Sequence, residues 1–151
     1  MFRFIINATG KFHSGSLIYY KEEDSFDFVP SRNADISLLV GYIHIGIDSE
    51  TMTAQQVWGL YPCEGWVEKT LDIPSFIEGE LIVEGDIQPG MTYRLDGSEK
   101  WTAKFNSQTG WVCIGESEII KSDTIIKFAE NTIAVINDSK LKSLWLKPEL
   151  E

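Results

Sequence analysis

Apolar residues recur at every second position along this chain, in segments too short for helices, and turn residues cut the segments apart. Phe2, Phe4 and Ile6 alternate with Arg3, Ile5 and Asn7. Residues 14–20 and 25–29 continue the pattern on either side of the charged turn Lys21-Glu22-Glu23-Asp24. A period of two places alternate side chains on opposite faces of an extended strand, one toward a core and one toward water. Residues 35–48 are rich in Ile, Leu and Val. There Ile43, Ile45 and Ile47 share one face, His44 and Gly46 share the other, and Gly41 marks a bend or bulge.

The second half repeats the style. Residues 80–84, 91–95, 100–105, 111–114, 118–120, 124–128 and 132–136 read as strands, divided by Pro89-Gly90, Asp96-Gly97 and Glu130-Asn131. Two turns look alike, one opened by Asp48 after Ile47 and one by Asn106 after Phe105. In each a side-chain oxygen can hold the backbone two residues on. Gly110 suits the left-handed position of the second turn, and Met52 in the equivalent place implies a different build for the first. Asn137-Asp138-Ser139 makes a third turn.

Helix is scarce. Residues 53–60 fit a turn or two of helix as well as a strand, and 139–146 are equally ambiguous. Pro74 at a first helical position predicts one tight turn over 74–78. The pattern therefore predicts an all-β fold: an antiparallel sandwich or partly closed barrel of short strands, with at most two short helices. At this length it predicts a single domain over residues 1–151.

Charge narrows the function. The chain has 23 acidic residues against 13 Lys and Arg, a net charge of −10. That balance repels nucleic-acid phosphates and anionic membrane surfaces, and it favours solubility or a basic partner. The apolar start is far shorter than the core of an export signal, and no segment is long enough to span a bilayer. The expected location is cytoplasmic. Without export, the glycosylation patterns Asn7-Ala8-Thr9 and Asn137-Asp138-Ser139 carry no weight. Cys63 and Cys113 read as reduced, at least partly buried thiols.

No chemical motif stands out. Neither His13 nor His44 lies near a nucleophile elbow, and no metal-ligand spacing or phosphate loop is present, so no cofactor or metal is expected. Glu80, Glu84 and Asp86 fall on one face of an extended 79–87 segment, a trio that could serve glycoside hydrolysis, bind a cation or simply be solvated. The irregular segment 59–74, which holds Tyr61, Glu64 and Trp66, reads either as a packed connection that closes one end of a barrel or as a displayed site, with Trp66 expected to be the exposed tryptophan. Tyr61, Glu64 and Trp66, flanked by Glu80, Glu84 and Asp86, form the expected binding surface. The expected function is that of a small acidic binding protein of immunity or inhibitor type, docking a basic protein. A carbohydrate- or small-ligand-binding β module is the alternative, and a carboxylate enzyme in a barrel mouth is a third reading.

Overall fold

Residues 2–151 are described by a computed structural model. The alternating segments become strands: β1 (Arg3–Asn7), β2 (Ser16–Tyr20), β3 (Ser25–Val29), β4 (Ile36–Val40), β5 (Ile43–Asp48), β6 (Thr53–Leu60), β7 (Val67–Glu68), β8 (Ile77–Glu78), β9 (Glu80–Glu84), β10 (Thr92–Arg94), β11 (Ala103–Phe105), β12 (Val112–Gly115), β13 (Thr124–Ala129), β14 (Thr132–Asn137), β15 (Lys140–Leu146) and β16 (Glu149–Leu150). Among the described residues only Cys63–Gly65 and Ser98–Lys100 are helical, each a single 3-10 turn.

The strands form two sheets, and neither closes into a barrel. One runs β10-β4-β5-β6-β3-β2-β16, with β9 and β1 branching from β6. The other runs β7-β11-β12-β15-β14-β13-β8. Their inner faces share one core, in which Leu38, Ile43, Ile45 and Ile47 from the first sheet join Ile114, Ile126, Phe128 and Leu144 from the second.

Interior pairings are antiparallel, but each strand order ends on a parallel pair. β10 joins β4, β16 joins β2, β7 joins β11 and β8 joins β13, all in parallel. These terminal strands are two or three residues long. A very short outer strand leaves little open backbone for another chain to pair with. The branch strand β1 is met on its outer side by the hairpin turn between β14 and β15, where the Ser139 carbonyl accepts the Phe4 amide at 2.8 Å.

β6 is the fork of the larger sheet. One edge pairs with β5. The other meets β9 at Thr53 and β3 only at Gly59 and Leu60. Gln56 serves the stretch between. Its Oε1 accepts the Arg32 amide at 2.8 Å and its Nε2 donates to the Arg32 carbonyl at 3.2 Å, so the side-chain amide imitates a strand partner.

The two ambiguous segments resolve as strands over 53–60 and 140–146, because each finds neighbours on both sides, and other local expectations are corrected. Residues 74–78 form no helical turn, since Ile77 and Glu78 pair with β13 instead. Residues 118–120 form no strand. The Glu118 amide is taken by Glu116 Oε1 (2.9 Å) and the Ile120 amide by Asp123 Oδ2 (2.8 Å). The two similar turns are built alike after all. Asp48 and Asn106 each hold the amide two residues on (3.0 and 3.1 Å), and Met52 takes the left-handed φ of 59° where Gly110 takes 88°.

The second sheet is covered on its outer face as well. Trp111, Cys113, Ile133, Val135 and Trp145 pack there under Leu71 and Ile119. Asp123 clamps that cover. Its side chain is fully buried, its Oδ2 meets Lys142 Nζ at 2.6 Å, and its Oδ1 accepts Asn137 Nδ2 at 2.8 Å. Burial alone would raise the carboxyl's pKa, but the Lys142 contact and the amide donors outweigh it and hold the value low.

Two outcomes are expected. Asp123→Ala should cost on the order of 2–3 kcal/mol in urea unfolding at pH 7, because Lys142 and two donors lose a charged partner. A depressed folded pKa stabilises above the unfolded value and loses that stabilisation as pH falls through the folded one. The gap between wild type and variant should therefore close below about pH 3.8. Asp138 and Ser139 both adopt left-handed φ, 52° and 61°, in the two-residue turn between β14 and β15. Glycine is the preferred second residue of such a turn. Ser139→Gly should add about 0.5–1 kcal/mol and raise Tm by roughly 2–4 °C.

Candidate functional site

The outer face of the larger sheet is covered only in part among the described residues, where Ala34 and the Arg32 backbone lie against Gly46 and Gln56. Outward residues of its strands include Trp58 (40% exposed), Leu60 (57%) and Val29 (47%), and Tyr42 (57%) is exposed in the turn that joins β4 to β5. Ile18, Tyr20 and Leu39 are half-buried on the same side. Strand register aligns them, with His44 opposite Trp58, Leu39 opposite His44, Leu60 opposite Ser25 and Ser25 opposite Tyr20. Large apolar side chains are exposed elsewhere too, at Val67, Ile73, Phe76, Ile77, Met91 and Ile120, but here several gather with aromatic rings on one sheet face, the arrangement that marks an interaction surface.

At its centre the rings of His44 and Trp58 stack, 4.2 Å apart and 8° from parallel. Gly59, at φ 122°, makes room, because a Cβ there would lie 2.9 Å from His44 Cδ2. Burial lowers the His44 pKa. His44 Nδ1 has no hydrogen-bond partner among the described residues. A buried lone pair without a donor costs less than an orphaned N–H, so the geometry fits a neutral ring protonated on Nε2.

Beside this pair, β3 parts from β6 and leaves a groove of about 390 Å³. The Ser25–Leu60 pairing closes one end and the Gln56–Arg32 bracket closes the other. Trp58, Tyr20, Asp27, Glu23, Ser25 and Ser31 line it, and no Lys or Arg does. Arg32, next along the chain, turns its guanidinium to His13 Nδ1 at 2.9 Å. Asp27 Oδ1 accepts the Phe28 amide at 2.9 Å, which fixes the carboxylate and leaves its second oxygen without a partner among the described residues.

The six residues expected to form the binding surface are scattered. Tyr61 is 6% exposed and belongs to the core. Its carbonyl accepts the Tyr19 hydroxyl at 2.7 Å, and burial pushes its own phenol up to about 12. Trp66 is half-buried, not the exposed anchor. Its ring centroid lies 4.8 Å from Tyr19, 6.0 Å from Phe26 and 5.5 Å from Phe105. Those partners come from β2, β3 and β11, so the irregular loop closes one end of the sandwich. Glu64 is exposed on the 3-10 turn.

Glu80 and Glu84 lie on β9, where they meet Asn7 Nδ2 (3.1 Å) and Arg3 (3.7 Å) of β1, and Asp86 is exposed beyond the strand end. The loop pairs with the smaller sheet and β9 with the larger one, so the two halves of the expected surface do not meet. Trp58 is the exposed tryptophan. Its alternation with Gln56 and Leu60 is the sequence signal, readable only once 53–60 is known to be a strand.

Cys63 is half-buried and Cys113 buried, both as free thiols, and burial pushes Cys113 up to about 12. Among the described residues, no helix is long and apolar enough to cross a membrane. No protein-family model matches the chain, and no curated protein matches its sequence.

The two tryptophans should separate in denaturant melts. Trp58→Ala should cost less than about 1 kcal/mol, whereas Trp66→Ala should cost about 3 kcal/mol through its cavity. The Trp66 Nε1 donor is buried without a partner among the described residues. Trp66→Phe should consequently be nearly neutral, since it removes an orphaned donor along with some ring volume.

Proposed function

We propose that this protein binds a basic protein partner on the outer face of its larger sheet. The observation that carries this reading is the unequal cover of the two sheets. The chain uses Leu71, Ile119 and the Asp123 clamp to shield the centre of one sheet's outer face, and leaves Val29, Trp58 and Leu60 open on the other. Trp and Tyr in such a patch are the residue types that dominate interface energies.

The surroundings set the sign of the partner. Glu22, Glu23, Asp27, Glu149 and Glu151 are exposed on β3, β16 and the turn after β2. With a net charge of −10 they steer a cationic surface toward the face and repel acidic ones. A small acidic protein that occupies a basic one fits an immunity or inhibitor role. A second reading, a sugar-binding module, draws on Trp58 beside the serines and amide of the groove. Carboxylate catalysis has less to support it, because Glu80 and Glu84 are engaged by Asn7 and Arg3 of the neighbouring strand and Asp86 is exposed beyond the strand end.

The test is capture from native cells by the immobilised protein. Wild type should retain a protein of isoelectric point above roughly 9, less of it as salt rises from 50 to 300 mM, because screening weakens the steering. Leu60→Asp and Tyr42→Ala should each lose it while keeping the wild-type circular dichroism, and Glu84→Gln on the other branch should keep it. A captured protein indifferent to Leu60 and Tyr42 would overturn the reading.

A further inference from the structure

We infer that the groove between β3 and β6 receives an arginine side chain of the partner, its guanidinium held between the Trp58 ring and the Asp27 carboxylate. This rests on the docking face proposed above and specifies what the groove within it recognises.

Size, charge and shape agree. A groove of about 390 Å³ is near the small end of ligand sites, room for one long side chain and not for a folded segment. Its lining holds two carboxylates, Glu23 and Asp27, and no cation. Neither acid forms an ion pair with any described residue, so both are free to meet a cation. The Phe28 amide already fixes Asp27, so the carboxylate is oriented before anything arrives.

Guanidinium suits the site better than ammonium. One face of the Trp58 ring is taken by His44, stacked at 4.2 Å. His44 is held neutral by burial, so the ring carries no cation and its free face remains available to one. A planar guanidinium can lie on that face and still present N–H donors at its edge to Asp27, Ser25 and Ser31. An ammonium has no plane to stack. Filling the groove also removes water from around Asp27, which strengthens a pair that would be weak on an open surface.

The experiment uses the intact protein and three acetylated, amidated eight-residue peptides that alternate glycine with arginine, lysine or citrulline. Citrulline keeps the planar shape and removes the charge. Calorimetry and Trp fluorescence should show the arginine peptide binding at least tenfold tighter than citrulline and at least threefold tighter than lysine. Asp27→Asn and Trp58→Leu should each weaken the arginine peptide about tenfold. Asp86→Asn, an acid outside the groove, should leave it within twofold.

Citrulline binding as tightly as arginine, or Asp27→Asn without effect, overturns the inference and favours a neutral ligand in the groove. Lysine equal to arginine overturns the guanidinium assignment. The two readings fail separately. Peptide binding that persists when no basic protein is captured removes the docking face and keeps the groove. Capture that depends on Leu60 but ignores Asp27 keeps the face and removes the arginine.

Discussion

A strand has two edges, and β6 must share its two among three neighbours. It gives one to β5 and divides the other between β9 and β3. Backbone groups in the interval still need partners, since an unpaired buried amide or carbonyl costs as much as a lost hydrogen bond. Gln56 meets part of that need by bracketing Arg32. The opening that remains is the groove beside Trp58. Fork, bracket and groove are thus one solution to one accounting problem in the backbone.

The outer faces of the two sheets show a different economy. Strands β12 to β15 are buried on both sides, and their sequences are correspondingly apolar without strict alternation, as in Ile133–Ile136. The larger sheet alternates more cleanly, and its outward set is mixed: Ser, Asp and Gln beside Trp, Tyr and Leu. A face meant only for water would not carry that second group so densely. The same mixture keeps the face compatible with solvent until something docks.

Short-range signals in the sequence were legible, and long-range ones were not. The alternation of Ile43, Ile45 and Ile47 predicts β5 and its buried side, and Asp48 and Asn106 predict their turns. Residues 53–60 stay ambiguous because Gln55 and Gln56 are buried there against the usual rule. Their amides are satisfied by Thr53 and by Arg32, and the Arg32 partner lies 24 positions away in the chain. Trp66 sits between Gly65 and a charged strand, which locally resembles an exposed loop. Tyr19, Phe26 and Phe105 decide its burial, and no window of sequence contains all four. The candidate site was misplaced for the same reason: which sheet face stays the more open is decided by distant segments such as 116–123.

The parallel pair between β16 and β2 carries a consequence for how the molecule is made. Ile18 is paired by Glu149, about 130 residues later. At a synthesis rate of roughly 5–20 residues per second, the hairpin of β2 and β3 leaves the ribosome on the order of ten seconds before its partner exists. For that interval a strand containing Leu17, Ile18, Tyr19 and Tyr20 offers an unguarded edge to its neighbours on the same message. Until β16 arrives, the edge of residues 16–20 is open to polysome-level misassociation, and a chaperone that shields it would act on a strand the finished protein keeps paired.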